Sequence, residues 1–192
     1  MVVATKPKID EGVWRYRWTR AEFEKAVKMG LFHAEARLEL LDGEIIEMAA
    51  QDSLHATGVQ LVQDALLSVL PKGYMVRVQL PFALDDGSEP EPDVAVVVGR
   101  PRDFRDRHPE SAQLLVEVAY TTISYDRTRK LSAYARKRIP EYWILNLNDR
   151  HLEVYREPVG ESYSTKRTLR AGESASPLPQ PGISIAVDDL LP

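Results

Sequence analysis

The chain has 192 residues, 44% of them hydrophobic, a formal net charge of -4 at pH 7 and no cysteine. That composition excludes disulfides and thiolate metal sites, leaves oxygen or imidazole as the donors for any metal, and argues against coating nucleic acid by bulk attraction. No apolar run approaches the roughly 18 residues of a spanning helix, and MVVATKPKID lacks the basic, long-apolar, small-residue order of a signal peptide. The expectation is a cytoplasmic protein with no membrane association, a single domain over 1–192 with residues 1–13 a flexible arm.

In chain order, Thr19 reads as a helix N-cap with Glu22 three residues on, and Trp18 and Phe23 stand where a hydrophobic staple would put them. That helix should run to about Met29 and end at Gly30. RLELLDGEIIEM places Asp42-Gly43 between two apolar runs, a hairpin whose two-residue turn pairs Leu41 with Glu44 and Glu39 with Ile46. Asp52 or Ser53 caps the next helix, which carries His55, Val59, Val62 and Leu66 on one face and stops at Pro71-Lys72-Gly73. A strand follows from Tyr74 to about Gln79, then the apolar runs DVAVVV and LLVEV, a helix from Asp126, and a strand EYWILNL after Pro140. From Ser53 the order is helix, three strands, helix, strand. LEVYREP and ESYSTKRTL flank Val159-Gly160 as a hairpin, and the proline-rich tail PLPQPGISIAVDDLLP should hug the surface with a short final turn.

Two acids stand out. Asp93 opens one apolar run and Glu117 nearly closes the next, in strands apolar enough to be covered on both faces. Burying an unpaired carboxylate costs several kcal/mol or forces it to take up a proton, so this pair calls for a cation, a basic partner, or both. The polar segment from Gly99 to Ala112 is short enough to make the two runs antiparallel neighbours, which brings Asp93 and Glu117 to one end of the sheet. They share a face if directly opposite; a one-residue slip would separate them. In the helix beyond, Arg127, Lys130, Tyr134 and Lys137 fall in one narrow arc at 3.6 residues per turn.

The order ELLDGE, a helix carrying His55, PDVAVV, LLVEVAYTTISYDRTRK, YA and IPEYWIL resembles the bacterial Uma family of restriction-endonuclease-like proteins, members of the PD-(D/E)XK nuclease superfamily. The resemblance covers about Thr19 to Pro192. It implies an α/β (α+β) fold: a restriction endonuclease-like core with a mixed sheet flanked by helices, extended by an N-terminal helix-hairpin and a C-terminal hairpin. It also implies that Asp93 and Glu117 are metal-binding acids. The superfamily lysine, two residues after the second acid, is replaced by Ala119, and the family pattern points instead to Lys130 on the following helix.

The activity so implied is phosphodiester hydrolysis in a nucleic acid, with DNA the expected substrate. Magnesium is the expected cofactor and manganese the substitute, held by one or two protein acids, with Lys130 stabilising the pentacovalent phosphate. Glu39 is a candidate third acid, His55 a candidate for catalysis or phosphate contact, and Gln79 a candidate for steadying water or backbone. Arg127, Lys137 and Arg138 are candidate nucleic-acid-binding cations. A homodimer suits cutting both strands of a duplex. The alternative is a catalytically silent nucleic-acid-binding or regulatory module on the same scaffold, favoured by the net negative charge and Ala119; it predicts that Lys130 points to bulk solvent.

Overall fold

A computed structural model describes residues 8–33 and 35–192. Of the expected arm, residues 1–7 lie outside the described residues, and part of the remainder is ordered: β1 (Lys8–Asp10) pairs antiparallel with β2 (Val13–Trp14). The helix α1 (Arg20–Lys28) starts on a full capping box, the Thr19 hydroxyl accepting from the Glu22 amide and the Glu22 carboxylate accepting from the Thr19 amide. β3 (Leu38–Leu41) and β4 (Glu44–Glu47) pair in the expected register, Leu41 opposite Glu44 and Glu39 opposite Ile46. Asp42 and Gly43 both take positive φ, 53° and 73°, as the turn twist that suits a two-residue hairpin requires.

The helix α2 (Ser53–Val69) is capped by the Asp52 carboxylate, which accepts from the His55 amide at 2.8 Å. Then follow β5 (Tyr74–Val78), β6 (Val94–Val98) and β7 (Leu114–Ala119). Next comes a continuous helical rod of three parts: α3 (Ile123–Tyr125), a π-helical turn Asp126–Lys130 and α4 (Leu131–Arg136). The chain closes with β8 (Glu141–Asn146), β9 (His151–Val159), β10 (Ser162–Arg170) and the short pair β11 (Ser174–Ala175) and β12 (Ile185–Ala186). Because Ser162 pairs with Val159, the hairpin turn is Gly160-Glu161, one residue later than expected. Nor does the tail only hug the surface. Ile185, Val187 and Leu190 are buried in the core beside Val154 and Leu169, because a stretch rich in proline can still deliver apolar side chains. No helix among the described residues is long and apolar enough to cross a membrane.

Six strands form one mixed sheet in the order β10-β9-β8-β7-β6-β5, in which only β7 and β8 run parallel. Strand alternation divides its residues cleanly. Val94, Val96, Val116, Val118, Trp143 and Leu145 join the core under α2, while Ala95, Val97, Leu115, Ala119 and Ile144 join the core under α4. Burying apolar strands on both faces in this way is worth about 25 cal/mol per Å² of apolar surface, and it leaves the polar side chains of these strands nowhere to go but the sheet ends and a few paired sites.

Two local features aim the helices. Gly58 lets α2 approach β7 closely: a Cβ there would stand 3.0 Å from Val118 Cγ1. In the rod, the Leu131 amide donates to the Asp126 carbonyl, five residues back. The wider turn rotates the residues after it relative to those before it.

Candidate functional site

Val94 pairs with Val116, so the same register carried one step outward sets Asp93 opposite Glu117. Glu117 points to the face covered by the rod, where Tyr134 and Lys130 meet it, while Asp93, just before β6, sits at the sheet end between Gln79, the Val118 amide and His55 of α2. Asp93 is held on three sides. Its Oδ2 accepts from the Val118 amide at 2.8 Å, and its Oδ1 lies 3.2 Å from the donating Gln79 Nε2 and 3.1 Å from His55 Nε2. Gln79 reaches it because it leaves the strand with φ 50°, and the Gln79 amide donates to the Asp93 carbonyl.

Lys130 descends from the π turn onto the other acid. It is 2% exposed, with Nζ 3.1 Å from Glu117 Oε1 and 3.4 Å from Glu39 Oε2. The Tyr134 hydroxyl, one turn on, donates to Glu117 Oε1 at 2.8 Å, and the Tyr125 hydroxyl donates to Glu39 Oε1 at 3.0 Å. Glu39 comes from the β3–β4 hairpin, which is pinned here by reciprocal backbone bonds between Leu40 and Glu89 and by the Glu91 amide on Glu39 Oε2. Asp126, 1% exposed, accepts from the Thr122 hydroxyl at 2.6 Å. A cavity of about 150 Å³ opens between these elements, lined among others by Arg37, Glu39, His55, Asp93, Glu117 and Lys130.

The charges do not balance. Four buried carboxylates, Glu39, Asp93, Glu117 and Asp126, surround one lysine. Burial pushes Glu117 well above the usual carboxylate range; Lys130 opposes this, and Asp93, Asp126 and Glu39 add to it. Burial likewise lifts Asp126 to about 6 against the pull of Lys130 and Thr122. Burial would raise Asp93 too, but the His55 hydrogen bond and charge, Lys130 and the Val118 amide together hold it below its ordinary value. Lys130 would be lowered by burial, yet the four acids, Glu117 first, push it well above its ordinary value, so it stays charged.

This donor set fits a hard divalent cation. A surplus of buried carboxylate oxygens is what such an ion neutralises. Among the described residues no three His, Cys, Asp or Glu side chains form a ready-made metal cluster. An ion that takes one or two protein acids and fills its shell with water and substrate oxygens, as magnesium does, needs none.

Of the residues singled out from the sequence, Asp93, Glu117, Lys130, Glu39, His55 and Gln79 converge here. Arg127, Lys137 and Arg138 do not. Arg127 forks onto Glu153 of β9, at 2.7 and 3.2 Å, Lys137 lies 3.6 Å from Asp85 on another cleft, and Arg138 takes positive φ beyond the end of α4. The expected arc of Arg127, Lys130, Tyr134 and Lys137 assumes 3.6 residues per turn throughout. The π turn breaks that phase, so Arg127 and Lys130 part while Lys130, the last residue of the turn, and Tyr134 beyond it still meet on Glu117. Sequence reasoning missed Tyr125 and Glu91, for which no local signal exists. It named Asp126 only as the start of a helix, although its spacing four residues before Lys130 marks a same-face pair.

Similarity to known proteins points the same way. No curated protein matches the chain. Among solved structures, the chain is similar to one described as a "putative nuclease belonging to DUF820 from Anabaena variabilis ATCC 29413", with a TM-score of 0.69 and 17% identity over 90% of this chain and 96% of that one, which establishes a shared fold. The acids, the lysine and the sheet that carries them all lie within residues 20–188, the span matched by the family model "Uma2: Putative restriction endonuclease", and the chain belongs to the Uma2 family.

Proposed function

We propose that this protein is a metal-dependent nuclease that hydrolyses phosphodiester bonds in DNA, with Asp93 and Glu117 holding a divalent cation and Lys130 at the phosphate. The observation that carries the reading is the Lys130 amine, buried between Glu117 and Glu39. A surface lysine on a silent binding module would have no reason to enter a buried, acidic nest, since ordering and desolvating it costs several kcal/mol.

Each residue has a physical task. Asp93, kept ionised and oriented by His55, Gln79 and the Val118 amide, offers fixed carboxylate oxygens at the cavity. Glu117 offers a second carboxylate, released from its proton when positive charge arrives. When bound there, magnesium or manganese supplies Lewis-acid neutralisation of the phosphate charge. Lys130 stays protonated beside these acids, so it acts as a fixed cation that stabilises charge developing on the phosphate oxygens rather than as a base. Glu39 from the hairpin and Tyr125 from the rod together hold Lys130.

The same reading makes the protein a single cytoplasmic domain that acts as a homodimer, two sites meeting the two strands of a duplex. A monomeric peak on a sizing column in the presence of substrate would remove the dimer. The activity itself is tested with supercoiled plasmid and purified protein, with and without magnesium or manganese, beside Asp93→Ala. Nicking that needs the metal and vanishes in Asp93→Ala is the expected result; equal nicking by both proteins would mean a contaminant and end the proposal.

A further inference from the structure

Arg37 is the guanidinium on the cavity wall. It continues the β3 pairing, its carbonyl accepting from the Met48 amide at 2.8 Å, and it stands two residues before Glu39. Residues two apart in a strand share a face, about 7 Å apart along the chain, so Arg37 and Glu39 look into the same space at different depths. Unlike Arg127, Arg129, Arg136 and Arg156, each of which is tied to a carboxylate, Arg37 spends one hydrogen bond on a backbone carbonyl, Ala49 O, at 3.1 Å. Glu91 on the same wall feels its charge. The planar fork still has donors to spare for an anion.

We propose that Arg37 grips a phosphate next to the one that is cleaved, and is therefore the residue by which this site tells a polynucleotide from an isolated phosphodiester. This rests on the nuclease reading. Lys130, buried at Glu117, serves the reacting phosphate; Arg37, one pleat further out, meets its neighbour along the strand. A contact of this kind positions the substrate without reading its sequence.

The test compares wild type, Arg37→Ala and Arg37→Lys on two substrates in magnesium or manganese: a labelled duplex oligonucleotide and bis(p-nitrophenyl) phosphate, which has no neighbouring phosphate. For the oligonucleotide, Arg37→Ala should raise KM about 10- to 100-fold with kcat nearly unchanged. Its plot of log KM against log salt should be shallower by about 0.9, the loss of one phosphate contact. Arg37→Lys should recover part of the affinity. The small diester should be hydrolysed equally by all three; if even wild type leaves it intact, the salt slope decides. Equal losses on both substrates would mean that Arg37 only neutralises Glu91 or supports the fold, and an unchanged oligonucleotide KM or salt slope would also overturn the inference. A wild type that cuts neither substrate would instead overturn the nuclease reading, which keeps the two failures apart.

Discussion

Glu117 and Glu153 lie in one row across the sheet, on either side of Ile144: Glu117 pairs with Ile144, and Ile144 with Glu153. Both are almost fully buried, and the same helical turn serves both, sending Lys130 to one and Arg127 to the other. Yet their states are opposite. Burial would raise Glu153, but hydrogen bonds from Arg127, Tyr155, Lys166 and His151 outweigh it and hold the carboxyl at about 2. Glu117 shares one lysine with three other acids and is pushed up. A buried acid with more donors than it needs is a finished structural element. One that competes for too few is left tending to keep its proton, and that imbalance separates the two ends of the row better than burial does.

The sharpest way to break this contrast is to remove the lysine. Lys130→Met should lower the rate of metal-dependent cleavage about 10²- to 10³-fold, the loss typical of a fixed charge at a reacting centre, with circular dichroism showing a folded chain. Cleavage within tenfold of wild type would place the working cation elsewhere. Next in size is the structural end of the row. A carboxyl held at about 2 instead of 4.5 contributes about 3 kcal/mol at neutral pH. Because the folded value is the depressed one, that contribution is complete above about 4.5 and is lost as pH falls towards 2. Glu153→Gln should therefore lose about 3 kcal/mol in urea unfolding at pH 7, and the gap between variant and wild type should close in acid. A gap independent of pH would show that packing, not charge, makes Glu153 stabilising.

Much of this was legible from the sequence, for identifiable reasons. Capping, the Asp42-Gly43 turn and the antiparallel pairing that brings Asp93 and Glu117 to one sheet end follow from local chemistry and loop length; which of the two possible registers they take, directly opposite or slipped by one, is fixed only by the fold. Of the six residues that meet around Asp93 and Glu117, the two acids stand out from their place in apolar strands, while Lys130 and Glu39 are singled out through the family resemblance. What escaped was long-range or phase-dependent. Arg127 meets Glu153, 26 residues away, and nothing near either residue announces the pair. The π turn inserts a phase change into a run that reads as ordinary helix. The four-to-one surplus of acids over lysine appears only once Glu39 and Asp126, from distant segments, come together.

Smaller effects sharpen the comparison on the side of the site alone. Gly58→Ala places a methyl group 3.0 Å from Val118 Cγ1, and overpacking of this kind costs about 1–3 kcal/mol. Val118 also supplies the amide that holds Asp93, and α2 carries His55, so cleavage should fall together with stability. Glu153 and Arg127 lie outside that contact. A variant that loses stability but keeps full activity would mean that the Asp93 clamp tolerates displacement of α2.

The smallest effect has the opposite sign and bears most directly on the imbalance. Glu117 has its folded value raised above 4.5, so the folded state holds the proton that the unfolded state has released, and wild-type stability should decline as pH climbs above 4.5. Glutamine copies the protonated acid and keeps an acceptor for the Tyr134 hydroxyl and Lys130. Glu117→Gln should therefore be close to neutral near pH 4.5 and more stable than wild type by about 1 kcal/mol at pH 8, while losing cleavage. Added magnesium should shrink that advantage, because the wild type offers the ion both acids and the variant Asp93 alone. Urea unfolding at the two pH values, with and without magnesium, reads all of this. If Glu117→Gln instead lost as much stability at pH 8 as Glu153→Gln does at pH 7, the two acids would be doing the same structural job and the surplus would mean nothing.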